Sequence, residues 1–269
     1  MNYPDITGLL QDKVVVLVGV GNPGDTLSNG RATALAFAKA GTRLVLADRS
    51  KEALDACLEA VAPVAKAVRA VECDATSESD VEALFATALA EFGTVDVLHN
   101  NLGIASVSRM TKTTLENFDR VVSVNLKSVF LLCKHALRVM EEKQSGVVTN
   151  VSSISSIRHL GIASPLYDMT KAGLNGLTRS IAVDYGPKGI RANSILVGMM
   201  DTPLARGGIE QAGRDIDQIY DGYIKRIPLR RMGTGNDTGH LAVFLASELS
   251  SYINGAELVL DGGLTVKSG

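Results

Sequence analysis

Val14-Val15-Val16-Leu17-Val18-Gly19-Val20-Gly21-Asn22-Pro23-Gly24-Asp25-Thr26-Leu27-Ser28-Asn29-Gly30-Arg31-Ala32 is the stretch on which the fold turns. Its first five residues, mostly β-branched, read as a strand buried on both faces. They run into a glycine-rich turn, and a helical pattern opens at Gly30. A strand, a glycine turn and a helix start together form a phosphate cradle. Glycine lets the backbone approach a pyrophosphate, and the helix N-terminus offers free N–H groups at the positive end of its dipole. A glycine-rich loop alone is a weak signal; its place after a first strand and before a first helix gives it meaning. Gly19, Ser28, Asn29 and Gly30 are the candidate cofactor contacts of this turn.

Downstream, short apolar runs alternate with longer helical patterns. Strands are predicted at 14–18, 43–47, 67–72, 95–99, 147–151, 191–196 and 257–260, and helices at 30–40, 51–61, 79–91, 115–142, 165–185 and 237–249. Gly41 and Gly93 stand where helix-ending glycines stand. Alternation of this kind predicts an α/β fold: a Rossmann-type, doubly wound parallel sheet of about seven strands with helices on both faces. Neither a linker nor an internal repeat interrupts it, so residues 1–269 read as a single dinucleotide-binding domain. The stretch 199–234 breaks the rhythm between the last two strands. It reads as a substrate lid at the carboxyl edge of the sheet, the plain alternative being a surface excursion.

Composition narrows the function classes. The chain has 269 residues, 46% of them hydrophobic, and a formal net charge of −2, which gives no argument for nucleic acid or an anionic membrane. No apolar run is long enough to span a bilayer. Met1-Asn2-Tyr3-Pro4-Asp5 lacks the basic region and apolar core of a signal peptide, so a cytoplasmic enzyme is expected. Cys57, Cys73 and Cys133 are too scattered for a zinc site or a disulfide framework, and no metal site is expected. Cys133 reads as a buried structural thiol. His159 is the histidine nearest the candidate chemistry and reads as a surface loop residue.

Asp48 ends the second predicted strand. There a carboxylate can accept hydrogen bonds from the adenosine ribose hydroxyls and repel a 2′-phosphate, which argues for NAD over NADP. Arg49 follows directly and could receive that phosphate. Asp74, with Ala75 beside it, could bond the adenine amino group; its bland role is a turn cap.

Tyr167 and Lys171 lie about one helical turn apart, and Ser153 precedes the tyrosine. A free tyrosine titrates near ~10 and carries protons poorly at neutral pH. A fixed positive charge beside it favours phenolate. A serine hydroxyl could hold a carbonyl or alcohol oxygen while the phenol exchanges a proton with it.

With these pieces the chain resembles a short-chain dehydrogenase/reductase over nearly its whole length. The family's order is followed by Gly19 to Gly30, Asp48, Asp74, Asn100-Asn101-Leu102-Gly103, Asn125, Ser152-Ser153, Tyr167/Lys171, Val197-Gly198 with Thr202, and Leu260-Asp261-Gly262-Gly263. The resemblance implies that Tyr167 is the general acid/base and that Lys171 holds the nicotinamide ribose and lowers the tyrosine pKa. It further implies that Ser153 orients the substrate oxygen and that Asn125 anchors a water linking Lys171 to solvent. Asn101 and Gly103 would line the cofactor floor, and Val197, Gly198 and Thr202 the nicotinamide or pyrophosphate end. An asparagine within a helix is unfavourable enough to want a special reason. Members are usually homotetramers, paired through helices equivalent to 115–142 and 165–185.

The departures are specific. Val18 replaces a threonine, Ser28 replaces the middle glycine, and five extra residues around 22–26 lengthen the turn. A long turn resembles the enoyl reductase branch, which spaces its tyrosine and lysine more widely. Leu102 replaces an alanine and Val197 a proline. The serine-to-tyrosine interval is one residue longer than usual, so Ser152 or Ser155 could take the role given to Ser153.

The expected function is NAD-dependent interconversion of a secondary alcohol and a ketone. The alternatives are reduction of an activated C=C bond and a catalytically silent dinucleotide sensor. Met199, Met200, Leu204, Ile209, Tyr220 and Tyr223 suggest an apolar or cyclic substrate, though they could equally be core. Arg206, Arg214, Lys225 and Arg226 could meet an anionic group or merely face water.

Overall fold

Successive residues of β1 (Val14–Val18) point to opposite faces of a sheet and enter two different cores. Val15 and Leu17 pack on one side, Val16 and Val18 on the other. In the computed structural model, which describes residues 6–21, 27–211 and 213–267, the order continues with α1 (Asn29–Lys39), β2 (Arg43–Asp48), α2 (Lys51–Val61), β3 (Ala67–Glu72), α3 (Glu78–Phe92) and β4 (Val97–Asn100). Then come α4 (Leu115–Val122), α5 (Ser128–Lys143), β5 (Gly146–Ser153), α6 (Pro165–Tyr185) and β6 (Ile190–Val197). The chain ends with β7 (Met200–Asp201), α7 (Pro203–Gln211), α8 (Ile216–Arg226), β8 (Gly233–Thr234), α9 (Gly235–Ala246) and β9 (Glu257–Leu260).

Seven strands form one parallel sheet in the order β3-β2-β1-β4-β5-β6-β9. One face carries α1, α2 and α9, with Phe37, Leu54 and Val243 in one apolar cluster with Leu44 and Leu46. The other carries α3, α5 and α6, with Leu84, Leu132 and Leu174 in one apolar cluster with Val45 and Leu98. Each such fully buried side chain contributes about 1.5–3 kcal/mol of transfer free energy. The direction of winding reverses between β1 and β4, so a crevice opens there beyond the carboxyl ends of the strands.

Local signals explain the boundaries. Ser50 caps α2 by accepting the Ala53 N–H at 3.2 Å, and Gly93 closes α3 at φ +74°. The outer strands β3 and β9 are only half-buried, unlike the fully covered strands that their sequences suggest. β4 starts later than predicted because the Asp96 carboxylate, rather than a strand carbonyl, takes the Val14 N–H at 2.8 Å. The continuous helix predicted over 115–142 is broken by a π turn at Ser123–Lys127 between α4 and α5. Asn125 sits in that turn, and its carboxamide bonds outside the helix.

The stretch 199–234 holds α7 and α8, flanked by β7 and β8, which pair parallel. Met199, Ile209, Tyr220 and Tyr223 pack with Ile154, Leu196 and Leu264 in a third apolar cluster. Asp201 accepts two hydrogen bonds from Arg206, at 2.7 and 2.9 Å, and one from the Tyr220 hydroxyl at 3.1 Å. From β8 the chain enters α9, which lies very close to α1. A Cβ on Gly235 would stand 2.6 Å from Ala32 Cβ, and one on Gly239 would stand 3.0 Å from Ala36 Cβ. The extra residues of the first turn, 22–26, the N-terminal residues 1–5 and the Leu204 side chain lie outside the described residues.

Candidate active site

A cavity of about 450 Å3 occupies the crevice. Gly19, Ser28 and Asn29 line it where β1 hands over to α1. Ser28 is the N-cap of α1: its hydroxyl accepts the Arg31 N–H at 3.1 Å and donates to the Val20 carbonyl at 2.6 Å. This explains how serine serves where the family pattern has glycine: its side chain ties the turn to the helix start. Gly30 is not part of the wall but sets its shape, because a Cβ there would lie 2.0 Å from the Gly19 carbonyl oxygen. Asn101 bonds that same oxygen through Nδ2 at 2.7 Å, joining the end of β4 to the turn.

Asp48 and Arg49 line the cavity at the tip of β2. The Asp48 carboxylate is steadied by backbone N–H groups of Gly21, at 3.3 Å, and Ser50, at 3.0 Å. Arg49 is exposed. Asp74 and Ala75 also line the wall. The Asp74 carboxylate takes the Thr76 N–H at 2.9 Å and hydroxyl at 2.8 Å, the turn-capping role that its sequence position allows.

The walls near β5, β6 and α6 are supplied by Gly103, Ser152, Tyr167, Lys171, Val197 and Thr202. Lys171 is buried, and its Nζ donates to the carbonyls of Val151 at 2.8 Å and Leu102 at 3.1 Å. Burial pulls its pKa down to about 8. The ammonium lies 5.7 Å from the Tyr167 ring centroid. Gly103 passes so close that a Cβ would meet Lys171 Nζ at 3.0 Å. The Tyr167 phenol is pushed above its ordinary pKa by burial, partly offset by a hydrogen bond with Ser153. This departs from the expectation that Lys171 lowers it: the ammonium is engaged by two carbonyls, and desolvation of the phenol dominates.

The three serines separate. Ser152 donates its hydroxyl to the Lys171 carbonyl at 3.0 Å and so holds α6 on β5. Ser153 faces Tyr167, its Oγ accepting the Ser155 N–H at 3.1 Å. The Ser155 hydroxyl is buried without a hydrogen-bond partner. Asn125 stands behind the wall. Its Oδ1 accepts the Ile104 N–H at 2.8 Å, while Nδ2 donates to the Ile104 carbonyl at 3.1 Å and to Thr170 Oγ1 at 3.0 Å. Gly198 likewise lies outside the wall and donates its N–H to Leu260 at 2.9 Å, joining β6 to β9. The Thr202 hydroxyl accepts the Ala205 N–H at 3.3 Å at the start of α7.

Sequence reasoning passed over Cys73, Thr76, Ile104, Val124 and Ser128, which also line the cavity. Cys73 and Thr76 flank Asp74 and were reachable from it; the other three carry no chemical signal. All three cysteines are buried, with pKa values raised by burial to about 12. His159 is exposed and accepts the Gly161 N–H at 3.1 Å. Among the described residues no helix is long and apolar enough to cross a membrane.

Comparison with known proteins agrees with this arrangement. A sequence model of the family described as enoyl-(acyl carrier protein) reductase matches residues 26–265. The chain is 35% identical over 249 residues to 2-(R)-hydroxypropyl-CoM dehydrogenase of Xanthobacter autotrophicus, covering 90% of this chain and 96% of that one. It is 37% identical over 257 residues to levodione reductase of Leifsonia aquatica, covering 94% of each. A crystal structure of a Burkholderia xenovorans protein described as a short-chain dehydrogenase/reductase superposes with a TM-score of 0.94 at 36% identity, covering 98% of this chain and 100% of the other. Both named relatives are oxidoreductases, and the sheet order, the order of the motifs and these likenesses converge: the chain belongs to the short-chain dehydrogenase/reductase family, whose members use nicotinamide dinucleotides.

Proposed function

We propose that the protein is an NAD-dependent oxidoreductase that interconverts a secondary alcohol and a ketone, with Tyr167 as general acid/base. The observation that carries this reading is the meeting of Tyr167 and Lys171 on the wall of one cavity that also reaches Asp48, with the Ser153 hydroxyl, itself outside that wall, hydrogen-bonded to the Tyr167 phenol.

The residues present suit a dinucleotide. The turn from Gly19 to Gly30, whose close packing excludes a side chain at Gly30, would hold the pyrophosphate with Ser28 and Asn29 at the helix start. Asp48 would hold the adenosine ribose hydroxyls, and Asp74 with Ala75 the adenine. Asn101 and Gly103 form the floor, Lys171 would hold the nicotinamide ribose, and Val197, Gly198 and Thr202 bound the nicotinamide end. When bound, the cofactor supplies the hydride acceptor or donor. Tyr167 takes the hydroxyl proton in the oxidative direction and returns it in the reductive one. Ser153 orients the substrate oxygen, and Asn125 keeps the 103–104 backbone in place beneath Lys171. Preference for NAD rests on the Asp48 carboxylate, which two backbone N–H groups hold at the cavity wall, where it opposes a 2′-phosphate. Arg49, exposed beside it, is the group that would work the other way.

The lid at 199–234 would close over a small alcohol or ketone. Its apolar residues pack mainly onto one another, so the substrate's apolar or cyclic character rests on the inner surface they leave. Phe130 on α5 and Met169 and Val183 on α6 are exposed apolar residues that suit pairing of these helices in a homotetramer, and a cytoplasmic setting fits the thiols.

A second reading, reduction of an activated C=C bond, draws on the description of the matching family model. A spectrophotometric panel of secondary alcohols, ketones and enones with NAD(H) and NADP(H) tests both. Turnover of alcohols with NAD supports the first reading, whereas turnover confined to enones replaces it with the second.

A further inference from the structure

Away from the cavity, α3 and α5 bring together three groups for which the proposed chemistry has no use. Glu78 and Glu82 are one turn apart on α3, and His135 projects from α5. One potential ligand atom from each lies within 4.8 Å of the others. The two carboxylates are exposed, but His135 is only 7% exposed. Its ring is stacked on Phe85, with centroids 6.1 Å apart and planes 23° from parallel, so its direction is fixed. Its Nε2 is buried and makes no hydrogen bond, and it faces Glu78 Oε1 at 3.5 Å. A buried ring nitrogen without a well-formed hydrogen bond is costly, and this one has only the long approach of Glu78, with a Glu82 oxygen within 4.8 Å.

We propose that His135 Nε2, Glu78 and Glu82 form a site for a divalent transition metal of the zinc class, which clamps α3 to α5. One imidazole and two carboxylates are a donor set that zinc accepts with water in the fourth position, whereas magnesium and calcium demand more oxygens. A tetrahedral zinc keeps its ligand atoms roughly 3.3 Å apart. Reaching that spacing requires adjustment only of the exposed glutamates, since the histidine is already held. Lys134 Nζ, 2.5 Å from Glu78 Oε1, is the native competitor and must give way. The cysteines do not compete, because burial keeps all three as thiols. Glu78 opens the helix that follows Asp74 and Ala75 in the chain, so the clamp would steady the start of α3 behind that wall of the cavity.

Calorimetric titration of the chelator-treated full-length protein with zinc chloride tests this. One equivalent is expected to bind saturably and raise the unfolding temperature, and an equal concentration of magnesium chloride should not displace it. Glu82→Gln, a substitution at an exposed position, should weaken zinc binding about tenfold or more. Lys134→Met should tighten it about fivefold by removing a competing charge. Cobalt in place of zinc should give the visible spectrum of a tetrahedral site, lost in His135→Gln. The site is overturned if no saturable uptake occurs, if Glu82→Gln binds as tightly as the native chain, or if Lys134→Met fails to strengthen binding.

Discussion

Asn125 grips the backbone of Ile104 with both ends of its carboxamide, accepting its N–H at 2.8 Å and donating to its carbonyl at 3.1 Å. The π turn at Ser123–Lys127 places the side chain for this grip. Asn125→Ala should therefore cost about 1–3 kcal/mol, the range for buried polar groups that lose their partners. Urea unfolding measures that loss, and amide exchange at Ile104 should accelerate with it.

Tyr167→Phe keeps the ring and removes the proton carrier. Turnover should fall by about 10²–10⁴, while dinucleotide affinity, followed by fluorescence titration, should change little. Near-native turnover would sink the proposed mechanism. The neighbouring serines should part company. Ser153→Ala should lower kcat, whereas Ser152→Ala should cost about 1 kcal/mol of stability, because its hydroxyl serves the Lys171 carbonyl.

Asp48→Asn keeps the shape of the residue and removes its charge. NAD should bind less tightly and discrimination against NADP should shrink, read as the ratio of kcat/KM for the two cofactors. A native enzyme that already favours NADP would reverse the assignment of Asp48 and give the decisive role to Arg49.

Lys171 links stability to alkaline pH. Burial lowers its pKa to about 8 from 10.5. Between those values the unfolded chain holds a proton that the folded chain has released. Stability from this group therefore rises with pH across that window and levels off above it. Lys171→Met should remove the rise, seen as a smaller difference between denaturation midpoints measured below and above the window.

The Asp201–Arg206–Tyr220 contact should respond to acid. The Arg206 guanidinium holds Asp201 below its usual 3.8, with the Tyr220 hydroxyl adding to the effect and burial opposing it. The contact's stabilisation is thus complete above that value and is lost as pH falls through the depressed one. Protection factors of α7 and α8 should stay level at neutral pH and drop only in strong acid. Tyr220→Phe should shift the onset toward higher pH.

The sheet was legible in the sequence because each of its strands is a short apolar run set off by helical patterns. The limits of β1, β3, β9, α2 and α6 fall where the sequence puts them. The break at Ser123–Lys127 was not legible, because the backbone that Asn125 bonds from that turn, Ile104, lies 21 residues away in sequence. Tyr167, Lys171 and Asp48 could be found from the spacing of chemically distinctive side chains. The upward shift of the Tyr167 phenol could not, since it depends on how deeply the ring is buried. The partners of Ser152, Ser153 and Ser155 were not legible, because β5 runs two residues past its predicted end, to Ser153, and Ser155 lies beyond it. Glu78, Glu82 and His135 went unnoticed because their meeting is a product of helix packing.

The closeness of α1 and α9 bears on how the protein comes into being. Ala32 and Ala36 rest against the bare backbone of Gly235 and Gly239. On the ribosome the first helix therefore waits, one flank uncovered, until most of the polypeptide has emerged. A message cut short before Gly239 would yield no smaller working enzyme. It would yield a fragment whose first helix lacks its neighbour, a substrate for chaperones and proteases.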